Sequence, residues 1–184
     1  AALAEAECAE ALDDFAGAAA IYQRLSAGQP ETPDEVLMRL GGAAKAAGNL
    51  DLAREAFGRV HYDFPLSELA PLAATEYDGL PNVEPLTPLS LRHTRELGRA
   101  ERLYARGAYA EARAAFEKVR TTSAGQERDL VRLRLAQLDY HTGRARVARD
   151  ALRSFIASGP RQAEAMYFFA RASRNAGDHA TYVR

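Results

Sequence analysis

The chain has 184 residues, of which 47% are apolar and 27% charged, with a net charge of -1. That length is enough for a buried core, and that composition excludes a disordered segment. No apolar run approaches the roughly 20 residues that span a bilayer, and abundant alanine with few β-branched residues sets a helical expectation throughout.

The opening AALAEAECAEALDDF lacks a basic region followed by an apolar one, so it does not read as a signal peptide. The missing initiator methionine fits a fragment or a processed product. The single cysteine, Cys8, excludes an internal disulfide and is compatible with either cytoplasm or envelope.

In chain order, one pattern keeps returning. Asp13 is followed by Phe15, Ala18, Tyr22 and Leu25; Gly48 is followed at the same offsets by Leu50, Ala53, Phe57 and Val60. The offsets recur from Gly107 (Tyr109, Ala112, Phe116, Val119) and from Gly143 (Ala145, Ala148, Leu152, Phe155), and Gly177 opens a fifth copy. The anchors are spaced by 35, 59, 36 and 34 residues, and Pro30, Pro65 and Pro160 each lie 17 residues past an anchor. A glycine permits a tight turn between two helices, an alanine lets two backbones approach, and a large residue four positions on fills the space beside it. The sequence therefore predicts an all-α helix–turn–helix repeat superhelix, a solenoid of about nine helices.

The pattern resembles the tetratricopeptide repeat family. LMRLGGAAKAAGNLDLAREAFGRVHYDFP (37–65) is the fullest copy, with Leu40 and Gly41 at the family's Leu-Gly pair and Leu37 where its tryptophan would stand. The resemblance implies a helical surface that binds protein or peptide.

The 59-residue spacing marks an irregularity. SELAPLAATEYDGL (67–80) predicts a short helix capped by Ser67, with Leu69, Leu72, Ala73 and Tyr77 on its apolar side. PNVEPLTPLS (81–90) reads as a rigid crossover, followed by a long helix from about Leu89 to Arg106. The expected division is repeats over 1–79, a proline-rich crossover over 80–88, and repeats over 89–184, the last one incomplete. Charge is just as divided: residues 1–92 carry 6 basic and 15 acidic residues, and residues 93–184 carry 18 and 10.

The sequence offers no chemistry for catalysis, cofactor or metal. His61, His93, His141 and His179 lack the spacing of zinc ligands, and neither a nucleophile elbow nor a phosphate-binding loop is present. Asp13, Asp14, Asp34 and Glu35 sit where carboxylates cap helices or complement their dipoles. The arginines of ERDLVRLRLAQLDYHTGRARVARDALR (127–153) are interleaved with Glu127, Asp129, Asp139 and Asp150, so a solvated face is favoured over nucleic-acid binding.

In a helical-repeat array the first helix of each pair lines the concave side. The positions that would do so are Leu97, Glu101 and Tyr104; Leu133, Gln137, Tyr140 and His141; and Tyr167, Arg171 and Arg174. Tyrosines beside amide and guanidinium groups suit peptide binding, since each joins apolar area to a polar tip; packing between helices would use the same rings. The lysine and asparagine of the repeat subtype that grips a terminal carboxylate are not supplied at these positions.

A narrower resemblance rests on AREAFGRVHYDFPLSELAPLA (53–73) and RAERLYARGAYAEARAAFEKV (99–119). These stretches look like the helical region of bacterial soluble lytic transglycosylases. That implies a periplasmic or envelope setting, with cytoplasm as the alternative, and contact with peptidoglycan glycan strands through a larger chain. The lysozyme-like catalytic domain of that family is not in this sequence, so this segment is expected to be non-catalytic.

Overall fold

Residues 2–156 and 161–178 are described in this computed structural model, and they form ten helices and no strand. Pro160, His179 and the end of the fifth copy at Arg184 lie outside the described residues. The chain divides into two units, Ala1–Pro85 and Leu86–Arg184. The first holds α1 (Ala2–Ala11), α2 (Phe15–Ala27), α3 (Pro33–Ala46), α4 (Leu50–Asp63) and α5 (Ala70–Asp78). The second holds α6 (Leu91–Ala105), α7 (Tyr109–Val119), α8 (Gly125–His141), α9 (Ala145–Ile156) and α10 (Gln162–Asn175). Among the described residues each unit runs first helix, second helix, first, second, followed by one further first helix. The all-α repeat architecture is as the sequence predicts, with one helix more than the count of about nine.

The anchors do what their chemistry requires. Gly48, Gly107, Gly143 and Gly177 have φ of 79°, 77°, 81° and 78°, the left-handed region where a side chain costs roughly 1–2 kcal/mol. Asp13, at the equivalent place, adopts φ 59° without being glycine. The helix beyond two of these turns is capped by a side chain: Asp14 accepts from the Gly17 N–H at 2.9 Å and Asn49 from the Leu52 N–H at 3.2 Å.

The repeated alanines Ala18, Ala53, Ala112 and Ala148 are fully buried, and Tyr22, Phe57, Phe116 and Leu152 four residues on are also buried. Full burial of a phenylalanine stabilises by about 2 kcal/mol, so these positions carry much of each unit's core. Close approach is tightest at Gly41, where a Cβ would stand 2.4 Å from the Phe57 ring.

Several sequence expectations need correction. The helix after Pro65 starts at Ala70 rather than at Ser67. Ser67 Oγ instead accepts from the Leu69 N–H at 3.0 Å and donates to Asp34 at 2.6 Å, tying the loop back to α3. Ala73 and Tyr77 are buried as expected, but Leu72 is half exposed and Ala70 is buried as well. Before Pro30, where no correction is needed, α2 ends at Ala27 and Gln29 takes φ 53°. Beyond α5, Leu80 is buried and Arg54 Nη2 donates to the Pro81 carbonyl at 3.0 Å, which holds the start of the proline-rich segment against α4.

Two buried polar side chains of the second unit are matched across helices. Glu96 is fully buried where repeat phase expects an apolar side chain, and Lys118 Nζ of α7 donates to it at 2.5 Å. His93 is also fully buried, its ring nitrogens 2.9 Å from Thr122 Oγ1 and 3.1 Å from Glu127 Oε2. Both arrangements fasten α6 to the elements that follow it.

Candidate functional site

The first helices of the second unit bring a continuous polar and aromatic row together. On α10, Glu164, Tyr167, Phe168, Arg171 and Arg174 recur every three or four residues and so share a stripe; on α8, Arg134, Gln137 and His141 do the same. Glu101 and Tyr104 supply the stripe of α6.

Arg134 sits at the centre of the row. Its Nε and Nη2 donate to the two carboxylate oxygens of Glu101 at 2.8 and 3.1 Å, a two-pronged pair from α8 to α6. Its Nη1 donates to Glu164 at 2.5 Å, on α10, and to Gln137 Oε1 at 2.8 Å. The Gln137 amide closes the ring by donating to Glu164 at 3.0 Å. One guanidinium therefore joins three successive first helices. Burial alone would lower its pKa, but the bonds to Glu101 and Glu164 outweigh that and raise it above the usual arginine value. Burial alone would raise Glu164, but donation from Gln137 and Arg134 holds it below the usual carboxylate range.

The rings form the second part of the row. His141 stacks on Tyr109 with centroids 4.4 Å apart and planes 15° apart, and meets Tyr104, Tyr140 and Phe168 edge-on at 6.0, 5.4 and 5.5 Å. This burial, with the nearby Arg171 charge, lowers the His141 pKa. Tyr104 lies under the Arg134 guanidinium at 4.8 Å, and burial pushes its hydroxyl up to about 12. Arg171 Nε donates to Tyr140 Oη at 2.8 Å and its Nη1 to Tyr167 Oη, while the guanidinium lies 5.4 and 5.3 Å from those two ring centroids.

Of the residues expected on this face, Glu101, Tyr104, Gln137, Tyr140, His141, Tyr167 and Arg171 do come together. Gln137 is fully buried, so it braces the row from beneath. Arg174 is exposed beyond Arg171 and makes no ion pair among the described residues. Leu133 does not line the face: it is fully buried and packs with Ala148 and Leu152. Leu97 is half-buried against the core of α6 and α7.

Sequence reasoning missed Arg134, Glu164, Tyr109 and Phe168. Arg134 was grouped with the solvated arginines, yet it is only 9% exposed. The i, i+3 and i+7 spacing of Arg134, Gln137 and His141 was the signal available. Of the other arginines of that stretch, Arg144 meets Asp139 and Arg149 meets Asp150, and Arg149 also reaches Asp178. In the first unit the corresponding helices are linked by Arg39–Glu7 at 2.9 Å and Lys45–Glu76 at 2.6 Å.

Among the described residues no three His, Cys, Asp or Glu side chains are placed to hold a metal ion. No described helix is long and apolar enough to cross a membrane.

Residues 35–67 match the family described as the tetratricopeptide repeat. That stretch covers nearly all of α3, all of α4 and the turn closed by Ser67, so this helix pair is a tetratricopeptide-like repeat. No curated protein matches the chain.

Proposed function

We propose that the protein is a non-catalytic scaffold that binds protein or peptide, and that the row on α6, α8 and α10 is its binding face. The observation that carries this reading is the preassembly of the row. Arg134 and Arg171 are held by neighbouring helices before any partner arrives, and Tyr167 still exposes 55% of its surface beside them. A rigid row of tyrosines and arginines supplies contact area and hydrogen bonding at little further loss of rotamer freedom. Helical repeats of this type commonly present such surfaces. An envelope setting belongs to the same proposal and rests on the resemblance of 53–73 and 99–119 alone.

Site-specific photocrosslinking tests the face. A crosslinking side chain at Arg174 is expected to capture a discrete partner in cells, whereas the same group at Arg146, exposed on α9, is not. Equal capture from both positions, or none from either, overturns the assignment.

A further inference from the structure

The charges on this face do not cancel. Glu101 and Glu164 are both committed to Arg134, and the second oxygen of Glu164 accepts from Arg161 at 3.2 Å. Arg171 and Arg174, further along the same stripe of α10, form no ion pair among the described residues. Arg171 is nevertheless fixed in place, because two of its five N–H donors are spent on the hydroxyls of Tyr140 and Tyr167. Phenols orient a guanidinium without neutralising it. The result is an ordered cation whose Nη1–Nη2 edge retains donors, resting on two aromatic rings.

We propose, on the reading that this face binds peptide, that its partner is an extended acidic peptide whose side-chain carboxylate is received by Arg171. A carboxylate accepts two parallel N–H groups from such an edge, and the fork already held by two tyrosines has little rotamer freedom left to lose. Arg174, three residues on, takes a second acidic side chain. An apolar residue of the same peptide covers Tyr167, which is 55% exposed beside the clamp. The wider field agrees, since residues 93–184 carry 18 basic against 10 acidic residues and so attract an acidic partner while repelling a basic one.

The test uses the whole chain and three fluorescently labelled, amidated peptides with a central phenylalanine, flanked by glutamates, glutamines or lysines. Anisotropy titration at low salt is expected to show the glutamate peptide binding roughly tenfold more tightly than the glutamine peptide, with the lysine peptide weakest. Arg171→Gln should erase the glutamate preference, and Arg171→Lys, which keeps the charge but not the fork, should restore only part of it. Thermal melts of both variants confirm that the fold is intact. Equal binding of glutamate and glutamine peptides would overturn the charge assignment and leave the binding face standing. A glutamate preference untouched by Arg171→Gln would place the acidic contact elsewhere and overturn the clamp. Failure of all three peptides to bind would remove the face itself, and the clamp with it.

Discussion

Arg134 and Glu101 face each other from α8 and α6 in a two-pronged ion pair, with N···O distances of 2.8 and 3.1 Å. The arginine is almost buried, and the same guanidinium holds Glu164. Removing it deprives Glu101 of its cation and leaves Glu164 with only Gln137 and Arg161. Loss of one member of a fully buried pair costs about 3–5 kcal/mol, but Glu101 and Glu164 each keep roughly a third of their side-chain surface in water. Arg134→Ala should therefore destabilise the second unit by about 2 kcal/mol, read as a lower denaturation midpoint in urea. An unchanged midpoint would show that the row contributes nothing to stability.

Two adjacent glycines on α3 should respond in opposite ways. A Cβ at Gly41 would stand 2.4 Å from the Phe57 ring, whereas one at Gly42 meets nothing within 4 Å. Gly41→Ala forces a fully packed ring aside and is expected to cost about 1–3 kcal/mol. Gly42→Ala keeps the space open and should stabilise by up to about 1 kcal/mol through helix propensity. Paired thermal melts decide the matter, and equal shifts for the two would contradict this packing.

The inter-helix turns give a second opposed pair. Gly107→Ala places a side chain at φ 77° and should cost about 1 kcal/mol. Asp13 already bears such a side chain at φ 59°, so Asp13→Gly should recover part of that cost, about 0.5 kcal/mol. Destabilisation by Asp13→Gly would mean that the carboxylate contributes more than the backbone strain it brings.

His141 makes stability depend on pH. Its folded pKa lies below the usual 6.5 because burial among the rings, and then Arg171, disfavour the charged form. The unfolded chain thus binds the proton more readily, and the stabilisation is present above pH 6.5 and lost as pH falls through the folded value. His141→Phe should flatten the urea-unfolding free energy in that window. Glu164, also depressed, acts further down: its stabilisation is present above the usual carboxylate value of about 4.5 and lost as pH falls through its folded value. A slope near pH 6 that survives in His141→Phe would assign it to another group.

The repeat was legible because its chemistry is local and periodic. Gly107, Ala112 and Phe116 each do one job at one offset, and the job is the same in every copy. The start of α5 was not: Ser67 accepts from the Leu69 N–H as a cap would, yet the helix begins only at Ala70, and the Ser67 hydroxyl is tied to Asp34, distant in sequence. The face was half legible. Phase put Glu101, Tyr140 and Arg171 on one row, and they do lie together, but Leu133 faces inward although it shares the repeat position of Leu97 and Tyr167. Arg134 looked solvated because its two acids come from other repeats, and pairing over some 30 residues leaves no local pattern. The burial of Glu96 and His93 was not legible for the same reason: a polar residue at an apolar phase makes sense only once Lys118 and Glu127 are beside it.

The ring cluster around His141 also makes the protein its own optical reporter. The chain has no tryptophan, so its ultraviolet emission comes from tyrosine. Every tyrosine described in the second unit (Tyr104, Tyr109, Tyr140 and Tyr167) takes part in that cluster or in the Arg171 clamp beside it. In the first unit Tyr22, Tyr62 and Tyr77 are buried. Among the described tyrosines, an added solute that quenches on contact should thus darken those of this row before those of the first unit, and an occupant of the row should shield the light it would otherwise lose.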